Sequence, residues 1–466
     1  MNSSDLGHST VEEADIEEIG KGSTSACLFR AEGDSEKRRQ SLRWCSGQES
    51  ARVGGLSVAG GGVGVEKAGV AGVRAEARAP AIEVLVEGNS HVRTVILNRP
   101  LKFNALNYQM VLQLSEEFQK LENDPAVKLV IVKANGKVFC AGGDVIEYYR
   151  CSLTGEWALA TQIYQKQLTL DYLVATYTMP LLSKFLLEVF LINGAVMGGG
   201  AGLSMNARYR VVTENTVFAM PEAAIGYYPD VGASYFLSKL PGFLGEYLGL
   251  TGARLNGAEM VACGLATHFV RSKNLILLEK SLYEVDVVEP NTIQGIISKY
   301  TQPLLLKEDS VLHRLDVINH FFSKQTVEEI LSSLVRIQHE HENATLKQEW
   351  ISKSIRSMKA ASPINLKIFL MSVRKGRFEP LEECLIRDSR ISAHSLRRTV
   401  SNDSLEGVRG TLLEKNYKPK WEPSKLELVS NDMVVTYLTK IPEIEGWKEL
   451  QLPPRDMHEK ALRAKL

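Results

Sequence analysis

VKLVIVKANGKVFCAGGD, residues 127–144, places four apolar residues in a row, Leu129 to Val132, between a lysine and the Asn135-Gly136 turn signal. A short unbroken apolar run of this kind is what a strand buried on both faces looks like, and such strands belong to parallel sheets. A second turn follows at Ala141-Gly142-Gly143, and Asp144 is placed to cap the free amides of a next helix. Upstream, Asn107 to Leu121 has helical spacing and stops at NDP. Earlier still, IEVLVEGNSHVRTVILNRP alternates around Gly88-Asn89, the pattern of a β-hairpin. Strand, helix, strand and glycine turn form an α/β repeat. A second cycle runs through the apolar stretch before Gly194, the turn MGGGAG, the strand ARYRVVTENTVFAM and then PEAAIGYYPDVGASY, residues 221–235.

A chain of 466 residues is too long for one ordinary core, so two packed units plus poorly ordered sequence are expected. Between Gly54 and Gly72 eight of nineteen residues are glycine, too little apolar material to offset the entropy of ordering. The sequence therefore divides into a disordered leader over 1–80, an α/β core over 81–283, a helical region over 284–450 and a tail over 451–466. In the helical region DSVLHRLDVINHFF, TVEEILSSLVRIQHEHEN and SPINLKIFLMSVRKG have helical spacing. Thr326 with Glu329 reads as a capping box, Ser362-Pro363 as a start and Gly376 as a stop.

Lys plus Arg and Asp plus Glu both number 55, so no global field would draw in nucleic acid or an anionic membrane. Six scattered cysteines without CxxC spacing argue against a disulfide framework and a zinc site. His339 and His341 fall on different helix faces, a solvated edge rather than a metal-ligand pair, so no metal is expected. The most apolar stretch, Pro180 to Met205, is interrupted by Lys184, Glu188 and Asn193, as a buried core is and a membrane span is not. Residues 1–30 carry six acidic side chains against Lys21 and Arg30, so no import signal is visible there. The terminal Ala464-Lys465-Leu466 is a near match to a peroxisomal address.

Two features point to chemistry. Ala141-Gly142-Gly143 and Gly198-Gly199-Gly200 both lie at strand-to-helix turns, where unpaired amides can approach a ligand closely. Two converging amides make an oxyanion hole; the plainer reading is close packing of strand and helix. Glu222 and Asp230 each follow a proline inside an apolar stretch. They fit helix starts, or they supply the carboxylates that such a hole lacks.

LNRPLKFNAL, VFCAGGD, INGAVMGGGAG and FAMPEAAIGYYPDVGASYFLSKLPG together resemble the enoyl-CoA hydratase/isomerase (crotonase) superfamily. The last of these, with LTGARLNGAEMVACGLATHFV behind it, looks most like the superfamily's 3-hydroxyisobutyryl-CoA hydrolases. The resemblance resumes at SPINLKIFL, EGVRGTLLEKNYKPKWEP and SNDMV. It implies an α/β fold, a crotonase-like spiral of ββα units followed by a mainly α-helical C-terminal region. It also implies an acyl-CoA substrate, with no cofactor because CoA is part of that substrate. Matched to the family's motifs, the oxyanion amides fall at Ala141 and Gly199. CoA and substrate contacts fall at Asn104, Ala105, Leu106, Gly142, Gly143, Asp144, Gly198 and Gly200, and the catalytic acids at Glu222 and Asp230.

The implied activity is cleavage of 3-hydroxyisobutyryl-CoA in valine breakdown, in the mitochondrion by resemblance or the peroxisome by its C-terminus, with a homo-oligomer as the assembly. A non-catalytic component of the mitochondrial ribosome's small subunit and an enoyl-CoA isomerase or hydratase are the alternatives. Hydratases carry a second glutamate two residues after the triple glycine, where this sequence has Gly202. Two positions depart from the hydrolase pattern. Gln167 stands where hydrolases carry an acidic substrate-side residue. An insertion of about seven residues near Lys184 to Phe190 is expected to flip or bulge a core strand.

Overall fold

The alternation around Gly88-Asn89 closes as a hairpin: β1 (Val84–Gly88) pairs antiparallel with β2 (Val92–Leu97). Gly88 takes φ 133° at the corner, and the Asn89 side chain accepts from the His91 and Val92 amides. In this computed structural model the described residues are 82–89, 91–177, 186–340, 349–414, 418–442 and 446–455. The leader expected over 1–80, His341, and the tail beyond residue 455, with Ala464-Lys465-Leu466, lie outside them.

From β2 the main sheet continues in parallel through β3 (Leu129–Ala134), β4 (Leu187–Ile192), β6 (Tyr209–Val212) and β9 (His268–Phe269). Leu129 to Val132 are wholly buried, as the unbroken apolar run requires. A smaller sheet holds β5 (Ala195–Met197), β7 (Val217–Ala219) and β8 (Leu255–Asn256). Consecutive strands β4 and β5 go to different sheets, and so do β6 and β7. After β3 the chain reaches the smaller sheet through a bridge from Cys140 to Val196. Each turn of chain thus feeds both sheets, which is the spiral of ββα units. Gly194 allows the corner between β4 and β5: its φ is 94°, and a Cβ there would stand 2.0 Å from the Lys137 carbonyl oxygen.

The expected bulge in the inserted strand is absent from its described part. β4 pairs residue for residue with β3 from Leu187 to Phe190, and with β6 from Val189 onward. With all six β4 residues buried, a slip would expel core side chains. Lys184 and Phe185 lie outside the described residues.

The helices that matter for the site are α1 (Tyr108–Asn123), α2 (Val145–Leu153), α3 (Trp157–Ala175) and α4 (Gly199–Met205), then α5 (Pro363–Gly376), α6 (Leu381–Arg397) and α7 (Asp403–Val408). Ser362 caps α5 through the Asn365 amide, and Pro363 is its first residue. Of the capping box expected at Thr326, half forms. Thr326 accepts the Glu329 amide, while the Glu329 carboxylate takes the amide of Gln325 instead.

The division at 283/284 marks a change of composition, not of core. One hydrophobic cluster contains Val130 and Phe190 of the sheet with Phe369 and Leu385 of the helical region. Hydrogen bonds from Gln165 to Ser389 and from Ser152 to the Leu396 carbonyl bind α6 against the first helices. Gly376 lies so close to Ser234 that a Cβ would stand 1.9 Å from its carbonyl oxygen. Cys140, Cys151, Cys263 and Cys384 are buried thiols, and no group of three metal-ligating side chains occurs among the described residues. No helix there is long and apolar enough to cross a membrane.

Candidate active site

Both glycine turns arrive at one cavity, lined by Ala141, Gly142 and Gly143 on one side and Gly198 and Gly199 on the other. The Ala141 amide, expected in the oxyanion hole, is already used: it donates to the Phe103 carbonyl at 3.0 Å. Gly143 takes its place. Its amide has no acceptor among the described residues and lies 3.1 Å from where a Cβ on Gly199 would stand. Gly199 opens α4, so its own amide is one of those a helix leaves unpaired. The two turns thus bring these amides close together beside the cavity. Which residue of the turn presents its amide is set by the φ of 110° at Gly142, which the motif alone does not reveal.

Glu222 begins the 3-10 turn Glu222–Ile225, and Oε1 lies 2.6 Å from where a Cβ on Gly198 would be. Gly198, at φ 45°, is thus doubly required: a side chain would strain the backbone and strike the carboxylate. Oε2 is buried without a hydrogen-bond partner. Burial, and then the charge of Asp230, hold the Glu222 carboxyl well above the ordinary range. Its ionised form is accordingly a strong base in a dry site. Asp230 is buried too, and burial followed by the charge of Asp388 pushes it up to about 8, against the hydrogen bond from Tyr164.

That shift has a stability consequence. The unfolded carboxyl binds its proton near 3.8 and the folded one near 8, so between those pH values the native chain holds more protons. Stability contributed by this group is therefore present at acid pH and lost as pH rises toward 8. Asp230→Asn is expected to raise the melting temperature at pH 8 by about 2 °C or more, with the gain vanishing toward pH 4, in paired thermal melts.

Several expected contacts do not reach the cavity. Asn104 is wholly buried; its Nδ2 donates to the carbonyls of Asn135 and Val138, and its Oδ1 accepts the Arg99 amide. Ala105 and Leu106 are buried beside it, so this trio shapes the turn, and Leu101, 94% exposed, is what the turn offers outward. Asp144 stands at the start of α2 without capping it; its carboxylate pairs with Arg99 at 3.0 Å. Gly200 faces Cys140, 2.6 Å from where its Cβ would be, and serves packing. Gly142, Gly143, Gly198 and Gly199 do line the cavity.

Gly202 has a steric reason. A Cβ there would lie 2.6 Å from the Val231 Cβ and 3.0 Å from Asp171 Oδ2, so no second carboxylate can be mounted on α4. Gly202→Glu is expected to lower stability by about 1–3 kcal/mol through overpacking and to give no hydration of crotonyl-CoA, followed by loss of its enoyl absorbance.

Other parts of the cavity come from outside the glycine turns and the two acids. Gln167 of α3 lines the cavity, 1% exposed, with Nε2 unpartnered and 2.4 Å from where a Cβ on Gly199 would be. Tyr148, Tyr164 and Tyr227 form much of the remaining wall. Leu396 of α6 and Leu405 and Val408 of α7 close the cavity from the helical region. Only the fold brings residues some two hundred positions apart to one wall. Among the described residues, the cavity's charged lining residues are the two acids, Glu222 and Asp230.

An amide pair beside a buried carboxylate, on a spiral of ββα units, is an acyl-CoA site of the crotonase type. The chain matches the enoyl-CoA hydratase/isomerase family over residues 92–438 and belongs to that family. It is 47% identical over 385 residues to "Probable 3-hydroxyisobutyryl-CoA hydrolase 3" of Arabidopsis thaliana, covering 82% of this chain and 99% of that one. Two further Arabidopsis thaliana proteins are 40% identical: "Small ribosomal subunit protein mS47", covering 80% of this chain and 88% of that one, and "3-hydroxyisobutyryl-CoA hydrolase-like protein 1, mitochondrial", covering 80% and 89%. Among solved structures, a carnitinyl-CoA dehydratase from Mycobacterium thermoresistibile is similar at TM-score 0.67 and 29% identity, over 79% of this chain and 98% of that one.

Proposed function

We infer that the protein is a thioester hydrolase that cleaves 3-hydroxyisobutyryl-CoA to 3-hydroxyisobutyrate and CoA, a step of valine breakdown. The observation that carries this is the placing of Glu222 and Asp230 against the Gly143 and Gly199 amides, with the hydratase position at Gly202 closed by Val231 and Asp171. The names of relatives sharing nearly half their residues agree with it.

The thioester carbonyl oxygen lies between the two amides, which stabilise it as it becomes negative. Glu222 either takes a proton from the attacking water or attacks the carbonyl carbon itself, forming an anhydride that water then opens. On either route the C–S bond breaks, the sulfur leaves as CoA thiol after gaining a proton, and the acyl group leaves as a carboxylate. Asp230, with Tyr164 behind it, holds the 3-hydroxyl. No cation lines the cavity among the described residues, so an uncharged hydroxyacyl group suits it better than a dicarboxylate. The pantetheine arm leaves past the Asn98–Leu106 turn, whose Phe103 carbonyl abuts Ala141.

We place the protein in the mitochondrion, as the name of one relative states for that relative, and treat assembly into a homo-oligomer as part of the proposal. The test is a pair of substrates given to the full chain. Free thiol released from 3-hydroxyisobutyryl-CoA, with crotonyl-CoA left unhydrated, is expected; hydration of crotonyl-CoA without thiol release would reverse the assignment. Inactivity on both, with co-sedimentation on ribosomal subunits, would favour the structural role.

A further inference from the structure

The turn that carries Asp230 is closed by its own hydrogen bond, from the Ala233 amide to the Asp230 carbonyl at 2.8 Å, but its middle residues need bracing from outside. Val231 and Gly232 are both left-handed, at φ 51° and 79°, and a β-branched residue avoids that region unless its surroundings impose it. Two contacts impose it. The Val231 amide donates to the Tyr164 hydroxyl at 3.4 Å, and the Gly232 amide donates to Asp388 Oδ2 at 2.8 Å. Asp388 belongs to α6 in the helical region and is wholly buried. The Tyr228 hydroxyl completes the tie, donating to the Asp388 carbonyl at 3.1 Å and to Oδ1 at 3.3 Å. Arg387, next along the helix, donates from its terminal nitrogens to Ser234, to the Ser372 carbonyl and to Glu379, and its Nε is buried without a partner.

We propose that Asp388 is a positioning residue: by holding the Gly232 amide its carboxylate fixes the Val231–Gly232 turn and so sets where the Asp230 carboxyl meets the acyl group. This rests on the role given to Asp230 above. It also gives the helical region a part in the chemistry beyond closing the cavity.

The electrostatics agree with the geometry. Asp388 is faced by Arg387, Glu379 and Cys384 on its own side and by Tyr228, Tyr227, Tyr164, Asp171 and Asp230 across the site. Asp230 is faced by Glu222, Tyr148, Tyr164, Tyr227 and Tyr228, by Asp171 of α3 and by Asp388. Burial pushes Asp388 up to about 7, checked by Arg387, the Gly232 amide and Tyr228, while Asp230 lies near 8. The charge of Asp388 raises Asp230, so an ionised Asp388 favours the protonated form of the Asp230 carboxyl.

The experiment follows the Asp230 carboxyl by 13C NMR in full-length protein labelled at aspartate Cγ, assigned by comparison with Asp230→Asn, alongside kcat and KM for thiol release. Asp388→Asn keeps an acceptor for Gly232 and removes the charge. It is expected to lower the Asp230 midpoint by about one pH unit, roughly tenfold in the ionisation constant. Asp388→Ala removes the acceptor as well and is expected to lower kcat by about tenfold or more with KM within about threefold. Should either variant fold poorly, Tyr228→Phe takes away one stabilising hydrogen bond from the Asp388 charge and should move Asp230 in the same direction by less. An Asp230 midpoint unmoved in Asp388→Asn and Tyr228→Phe, or an Asp388→Ala variant with wild-type kcat, would overturn the proposal. The NMR titration needs no turnover, so a wild type that leaves the thioester intact contradicts the assigned reaction while the hold of Asp388 on Asp230 is still decided.

Discussion

Gly199→Ala is expected to cut kcat for thiol release by about 10²–10³-fold, the loss seen when one oxyanion donor fails, and to melt like the wild type. The added Cβ would stand 3.1 Å from the Gly143 nitrogen, in the space between the two amides where the carbonyl oxygen belongs. Its other neighbour, Gln167 Nε2 at 2.4 Å, is the end of a flexible side chain with no hydrogen bond to lose, so it can swing aside. Unlike Gly198, Gly199 is not left-handed, and alanine suits the first turn of α4. The fold therefore survives. Because the amide contact strengthens as the oxygen becomes negative, the loss falls on kcat and leaves KM nearly unchanged. Steady-state kinetics with a circular-dichroism melt checks both parts. A kcat within a few-fold of wild type would place the oxygen elsewhere.

Glu222→Gln should cost about 10²–10⁴-fold in kcat, the range for losing a positioned general base, and more if Glu222 is the nucleophile. Glutamine keeps the shape and the contact with Gly198. It loses only the charge, and burial already disfavours that charge. Stability should hold or rise, since a group that function keeps in an unfavourable setting is often relieved by a neutral isostere. Kinetics and melting thus move in opposite directions, a pairing that general damage to the fold does not produce.

Much of this was legible in the sequence, and unevenly. Leu129 to Val132 announced a doubly buried parallel strand because burial on both faces erases alternation. Glu222 and Asp230 were found because carboxylates are rare in apolar, glycine-punctuated sequence, and both line the cavity. Asn104 was misplaced at the ligand because a motif records that a residue is needed, not whether it touches substrate or braces the turn. The motif set the oxyanion amide at Ala141, whose amide is spent on the Phe103 carbonyl, because which amide of a glycine turn is left without an acceptor depends on φ, here 110° at Gly142. Gln167 was legible as a departure but not as a cavity wall. Asp388 had no local signal at all, because its contact with Gly232 spans 156 residues.

The most direct test of the account is the release of free CoA from 3-hydroxyisobutyryl-CoA, followed by thiol titration, with the full-length wild type and Glu222→Gln side by side at equal folded concentration. The expected result is sustained release by the wild type and almost none by the variant. Equal release by the two, or none by a folded wild type, would contradict it.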